Sequence, residues 1–444
     1  MTVVKRLPRD PGPAAWNDIL PDQTSAVRLE DHVTADWLVI GAGFAGLTAA
    51  RRLRELHPHD RIVVLDAKRI ADGPAGRNSG FMIDLPHDLA SDDYGGGVAA
   101  DKATTAANRA AISYAQTMAT EFQMPQWVFN PSGKWNAAAT DKGHQHNLDY
   151  ARHLAAMGEG FDLFDAARMR DLTGTDYYQS GLFTPGTVML QPAGYIRTLA
   201  DGLGDLDVQI YEHSPVLRLD RKMMWTAKTP LGSVQTPKVI LAVNGHANSF
   251  GHFAGALMHV FTYASMTRAL TGAEVATLGG VPEWGATPAD PLGTTVRRVS
   301  GPNGDRIIIR NRATFDPKMM VSDARIAAAG RTHDRSFTAR FPMLKDVDME
   351  YRWGGRLCLS RNNVAAFGQV DRDLYAACCQ NGLGAAKGTL HGMLAADLAS
   401  DVPSPLLDQV LAEDAPKPLP PRPMAWLGAN ALMRWGEFKA GREL

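Results

Sequence analysis

Cysteine is scarce in this chain: Cys358, Cys378 and Cys379 are the only three among 444 residues. Three thiols cannot build a disulfide framework, which points to a reducing compartment. Long apolar runs are missing too. Even the greasy stretch 250–266 is broken by His252 and His259, so no segment is expected to span a bilayer. Neither sign of charge is in excess, with 46 Lys and Arg against 47 Asp and Glu. That balance favours neither nucleic acid nor an anionic membrane surface as the main partner. The opening MTVVKRLPRDPGPAAW has no apolar run behind its basic residues, unlike a secretory leader. Thirteen histidines include His144 and His146, yet no Cys/His group has metal-ligand spacing, and no Ser-His-Asp or Cys-His arrangement stands out. What is left is an expected cytoplasmic protein whose 45% apolar and 21% charged residues suffice for a real core.

What is present begins with DWLVIGAGFAG, an apolar strand running into glycines. The next segment, LTAARRLRELH, puts Leu47, Ala50, Leu53 and Leu56 on one helical face, and Pro58 stops it. RIVVLDA, 61–67, then reads as a buried parallel strand, completing a βαβ unit. In that context Gly41-x-Gly43-Phe44-Ala45-Gly46 is a dinucleotide fingerprint. Gly41 permits the turn, Gly43 lets a pyrophosphate approach, and Gly46 lets helix and strand pack. Asp66 closes the second strand twenty residues past Gly46, where a carboxylate holds ribose hydroxyls, with Ala67 and Lys68 beside it.

The fingerprint does not separate NAD from FAD. Its position near the N-terminus, the later return of nucleotide-fold segments and a second glycine turn, Gly382-Leu383-Gly384, favour FAD. A helix opening at that turn would stabilise negative charge on a reduced flavin. Lys387 in its first turn is either a charge stabiliser or a solvated surface residue. Such segments recur at 36–90, 190–248 and 350–400, with KVILAV (238–243) another buried strand. They are expected to form one FAD-binding domain, interleaved with a substrate domain from 91–189 and 249–349. An N-terminal arm, 1–35, and a Pro-rich segment with a tail helix, 401–444, complete the chain. The fold class expected is α/β: a Rossmann-like FAD-binding domain on a parallel sheet, interleaved with an α+β substrate domain carrying a mainly antiparallel sheet.

VIGAGFAGLTAA, VVLDA, AGRNSGF, KVILAVNGH, WGGRLCLS and NGLGAAKG occur in the order seen in D-amino-acid oxidase-like FAD-dependent oxidoreductases. The chain resembles that family, and within it the γ-glutamylputrescine oxidoreductase branch, which has a Gly-Arg-Asn-x-Gly stretch at this point. The resemblance implies that Gly76, Arg77, Asn78, Ser79 and Gly80 run alongside the flavin. Arg77 would meet pyrophosphate or a flavin carbonyl, and Asn78 would offer its amide to the ring edge. Met82 follows this motif. Val216 would hold adenine through its backbone, and Asn244 and Gly245 would end a strand beside the dinucleotide. A structural turn whose arginine caps a carbonyl is the competing reading of AGRNSGF.

The resemblance also implies oxidation of a C–N bond in an amine or amino acid, with hydrogen passing to flavin N5 and the imine hydrolysing to a carbonyl compound. A γ-glutamyl-polyamine-like amine is the first expectation; a secondary amino acid such as L-pipecolate, sarcosine or another N-alkyl amino acid is the alternative. Oxygen or a quinone would take up the electrons. A different class, an NAD-binding or non-catalytic Rossmann protein, leaves AGRNSGF and the Gly382 turn without a role. Substrate-wall candidates are Trp353, Arg361, Tyr263 and His87. Each also reads as an ordinary packing or surface residue. Where the family has Thr-Pro-Asp, this chain has Ser360-Arg361-Asn362. The offset of Cys358 from the family's flavin-linking position makes the expected FAD non-covalent.

Overall fold

The structure is a computed structural model that describes residues 2–23, 26–86 and 96–444. Its first sheet has six strands. In spatial order they are Gln209–Tyr211, Ile62–Leu65, Trp37–Ile40, Lys238–Leu241, Leu374–Cys378 and Ala366–Asp371. The first five run parallel and only the last pair is antiparallel. Trp37–Ile40 and Ile62–Leu65 are buried at every position, the pattern of a parallel strand covered on both faces.

Helix Phe44–Leu56 covers one face of that sheet and packs on helix Gly384–Ala399. The contact is backbone-close. A methyl at Gly392 would lie inside van der Waals contact of the Ala45 carbonyl, and one at Gly388 would reach Phe44 Cβ at 3.0 Å. Both helices therefore start at the same edge of the sheet. That placement decides where the site can be.

The second large sheet has eight strands, in the order Met349–Ser360, Leu257–Thr267, Arg306–Phe315, Thr295–Val299, Trp284–Pro288, Lys134–Ala138, Ser180–Thr184 and Asp162–Asp165. All neighbours are antiparallel except Trp284–Pro288 with Lys134–Ala138. The strand Met349–Ser360 belongs wholly to this sheet, and the C-terminal part of the chain joins the parallel sheet only from Ala366. Helices Val98–Glu121 and Asp141–Met157 fall within 91–189, the first segment expected to form the substrate domain. The fold is thus the mixed α/β architecture that the glycine motif and strand patterns call for. Among the described residues no helix is long and apolar enough to cross a membrane.

Candidate cofactor and substrate cleft

A cleft opens where the two helix starts meet the carboxyl ends of the parallel strands. Lining it are Gly41, Gly43, Phe44, Ala45, Asp66, Ala67, Lys68, Asn78, Val216, Asn244, Gly382 and Gly384, from widely separated parts of the chain. Gly46, Gly76, Arg77, Ser79, Gly80, Met82, Gly245 and Leu383 do not line it.

The glycines divide by what surrounds them. Gly41 has φ +105°, and a Cβ there would meet the Ala242 carbonyl oxygen at 2.5 Å. Gly46 faces the Gly41 carbonyl so closely that any side chain would collide with backbone. Protein packing alone explains these two. Gly43 is different: it is extended, at φ −94° and ψ −166°, and an added Cβ would only touch Ala75 Cβ at 3.4 Å. Gly384 has nothing within 4 Å of such a Cβ. Both leave room that the protein itself does not fill.

Neither helix start is closed by a side-chain cap, Gly43 and Leu383 being the cap residues. The first intrahelical donors are Leu47 and Lys387, so the N–H groups before them supply positive potential to the cleft. At the far end stands Asp66. Its Oδ2 accepts from the Ala42 N–H and its Oδ1 from the Lys68 N–H, both at 2.8 Å. Burial pushes the carboxyl up to about 6, against the opposing pull of those two donors. A buried carboxylate with outward lone pairs, uncapped helix ends and an open glycine form a donor and acceptor set that fits a dinucleotide.

Several expected contacts turn out otherwise. Arg77 does not reach into the cleft. Its guanidinium donates to the carbonyls of Asp72, Pro11 and Gly12 at 2.6, 3.0 and 3.0 Å, so it ties the N-terminal arm down. Gly76 and Gly80 are crowded by the Ala71 and Leu190 backbone carbonyls, and that crowding by itself demands residues without a side chain. Asn78 lines the cleft, but its amide donates to the Ala75 carbonyl and its Oδ1 accepts from the Gly80 N–H, closing a local turn. Ser79 gives its carbonyl to Arg297, and Met82 is core. Gly245 packs against His259.

The substrate-wall candidates also fall elsewhere. Trp353 is core, its indole N–H donating to the Arg77 carbonyl at 3.0 Å. Tyr263 shares a 2.6 Å hydroxyl contact with Thr314 and packs with Ile326 and Ala329, away from the cleft. Arg361 is exposed in the turn after its strand. Lys387 is half-buried, and its charge acts on Glu413 and His391. His87 lies outside the described residues.

On the opposite wall, sequence reasoning weighed Cys358 only as a flavin-linking residue and missed Arg356. Arg356 and Cys358 reach the cleft from the antiparallel sheet, two residues apart on Met349–Ser360 and hence on the same face. Arg356 is 7% exposed, and burial lowers its pKa. Its Nη2 reaches Asp10 at 3.4 Å, whereas Nη1 has no hydrogen-bond partner among the described residues. The N-terminal arm closes the cleft: Val4, Arg6, Leu7, Pro8 and Asp10 line it, and Asp10 also sits 3.3 Å from Lys68 Nζ. His246 and His259 flank Arg356, both held below the ordinary histidine range by burial and then by that cation. Alternation along WGGRLCLS was the available signal for Arg356, since a charged residue on the buried face of a strand demands a partner.

Comparison with known proteins agrees with this geometry. Residues 36–398 match the family model described as FAD dependent oxidoreductase, DAO. The chain is 27% identical over 384 residues to the probable oxidoreductase OrdL of Haemophilus influenzae, covering 82% of each protein. It is 23% identical over 386 residues to the gamma-glutamylputrescine oxidoreductase of Escherichia coli, covering 83% of this chain and 84% of that one. Among solved structures, glycine oxidase from Geobacillus kaustophilus superposes with a TM-score of 0.69 at 15% identity, covering 84% of this chain and 96% of that chain. With a parallel sheet that opens on two uncapped helices, and a family model spanning most of its length, the chain belongs to the DAO family of FAD-dependent oxidoreductases.

Proposed function

We propose that this enzyme oxidises the C–N bond of an amine or amino acid that also carries a carboxylate, with a γ-glutamyl-polyamine-like amine as the first candidate. One observation supports the reading above others: Arg356 faces the FAD cleft from the antiparallel sheet with a buried guanidinium nitrogen that no group among the described residues satisfies. An unpaired buried donor of this kind is costly unless an anionic ligand meets it. The name of the E. coli relative favours the γ-glutamyl amine, which combines a carboxylate with a free terminal amine.

FAD, when bound, supplies the hydride acceptor. Asp66 would hold its ribose hydroxyls, with Ala67, Lys68 and Val216 beside them. Phe44, Ala45 and Gly46 would offer N–H groups to the pyrophosphate across the open space at Gly43. The start of helix Gly384–Ala399 would face the ring, with Asn244 on the neighbouring strand end. Cys358, which lines the same cleft, is pushed up by burial and stays a thiol, in keeping with non-covalent FAD. Arg356 would orient the carboxylate. Its charge would also disfavour a second cation nearby, so that the substrate ammonium would lose its proton to solvent and the amine would be held neutral. No dedicated base is needed. Oxygen or a quinone would receive the electrons, and the imine product hydrolyses to a carbonyl compound.

In domain terms, we assign 36–90, 190–248 and 350–400 to cofactor binding, apart from the strand Met349–Ser360, which goes with 91–189 and 249–349 on the substrate side. Arg356 stands at their junction.

A second reading, oxidation of a secondary amino acid such as L-pipecolate or sarcosine, draws on likeness to the L-proline dehydrogenase of P. horikoshii, TM-score 0.64 at 15% identity. Anaerobic mixing of the holoprotein with a panel of γ-glutamyl amines, pipecolate, sarcosine and D-amino acids separates the two by which member bleaches the flavin. A panel that leaves the flavin oxidised throughout would remove both.

A further inference from the structure

The C-terminal helix Arg422–Ala440 is docked by one face and bare on the other. Its docked face sits on strand Arg306–Phe315. Asn430 accepts from the Phe315 N–H and donates to the Phe315 carbonyl, each at 3.1 Å. Glu437 accepts from the Ala313 N–H at 3.0 Å and pairs with Arg312. On the opposite side Met424, Leu427, Ala431, Leu432, Trp435 and Phe438 recur at three- and four-residue steps, which aligns them on one stripe. That stripe faces solvent: Leu427 is 61% exposed, Leu432 71%, Trp435 56% and Phe438 75%. A helix of 19 residues carries it over about 28 Å. Large apolar residues so exposed along one helix mark an interaction surface, not a random scatter.

Charge identifies the occupant. Between 422 and 443 the chain has four basic residues, at 422, 434, 439 and 442, and two acidic ones, Glu437 and Glu443. Both acids are turned inward and are 2% exposed. Every charged side chain that the described residues of this segment show to solvent is therefore positive. Arg434, exposed but paired with Glu437 at 2.6 Å, and Lys439, its Nζ 5.4 Å above the Trp435 ring, border the stripe, and Arg442 follows the helix end. A second copy of the chain is disfavoured as the partner. Across a two-fold axis the same face meets itself and sets these cations against their own copies. An anionic lipid surface has the opposite requirement: apolar depth for the stripe and negative headgroups for its borders.

We propose that helix Arg422–Ala440 seats this enzyme on an anionic lipid bilayer, lying in the interface with its bare face inward. The near-zero net charge of the whole chain hid this local asymmetry.

Flotation of the FAD-loaded protein with vesicles tests it. Phosphatidylglycerol mixed into phosphatidylcholine should carry the protein upward at low salt, and pure phosphatidylcholine should not. Added salt should weaken the binding, since exposed charges are screened. The double variant Leu427→Glu, Phe438→Glu should lower the vesicle-bound fraction at least about tenfold. Lys439→Glu with Arg442→Glu should remove the preference for the anionic vesicles while leaving the flavin absorbance unchanged, which controls for folding. The proposal is overturned if the parent protein stays at the bottom with both vesicle types, or if the variants float as it does. It is equally overturned if sedimentation without lipid shows a dimer that the apolar double variant splits, because a second copy then covers the face.

Discussion

Asp66 offers a quantitative handle on the proposed cofactor contact. In the protein without FAD its carboxyl is raised from 3.8 to about 6 by burial. Ionising it there costs about 3 kcal/mol relative to the unfolded chain. The sign follows: this group makes the apoprotein lose stability as pH rises from 4 through 6, because the folded form holds the extra proton in that window. Ribose hydroxyls donating to the ionised carboxylate would reverse the preference. FAD then binds the ionised form, and its apparent affinity must fall as the free site protonates. With a free-site value of about 6, affinity at pH 5 should be about tenfold weaker than at pH 7, or about 1.4 kcal/mol. The two histidines of the cleft do not interfere: both lie below the ordinary range, His259 at about 4, and stay neutral across this window. The assay is a titration of apoprotein with FAD, read by quenching of flavin fluorescence, at pH 5, 6 and 7. An affinity that does not change between pH 5 and 7 would refute the placement of the ribose on Asp66.

Three further outcomes separate cofactor contacts from packing. Gly43→Val should leave the apoprotein fold and melting temperature nearly unchanged, because space surrounds that position, yet weaken FAD binding by at least about tenfold; Gly46→Ala should instead destabilise the fold by about 1–3 kcal/mol, read in a melting curve. Arg77→Met should cost about 2–4 kcal/mol in a urea denaturation midpoint by releasing three carbonyls, with no shift in flavin absorbance maximum. Arg356→Met should raise KM for the carboxylate-bearing amine by about tenfold or more while a substrate analogue lacking that carboxylate is handled as before.

Legibility in the sequence followed distance along the chain. The first βαβ unit spans about thirty residues, so its glycines, helix face and closing aspartate could be read together. The same local logic marked Gly382 and the helix after it. AGRNSGF was legible as unusual but not as to why: small residues flanking an arginine read equally as a ligand cradle or as a crowded turn. The crowding comes from Ala71, Leu190 and Arg297, the last two over a hundred residues away in sequence. Trp353 and Arg361 attracted attention as a large ring and a charge on a strand thought to pass the flavin. Arg356 lies between them, and only the register of Met349–Ser360 against Leu257–Thr267 says which side chains face inward.

Composition, periodicity and spacing by themselves determined that a parallel sheet would start near residue 37, that a dinucleotide would meet its first helix, and that FAD suited the later glycine turn. These are short-range matters, set by backbone freedom and by which face of a helix or strand is apolar. The tertiary structure alone decided which glycines border open space and which are pressed against carbonyls. It also decided that Arg356, not Arg77, brings to the cleft a guanidinium nitrogen without a partner among the described residues, and that the two acids of the C-terminal segment turn inward. Each of those outcomes depends on groups brought together across the fold, where burial, and not residue type, settles whether a charge is paired, exposed or waiting for a ligand.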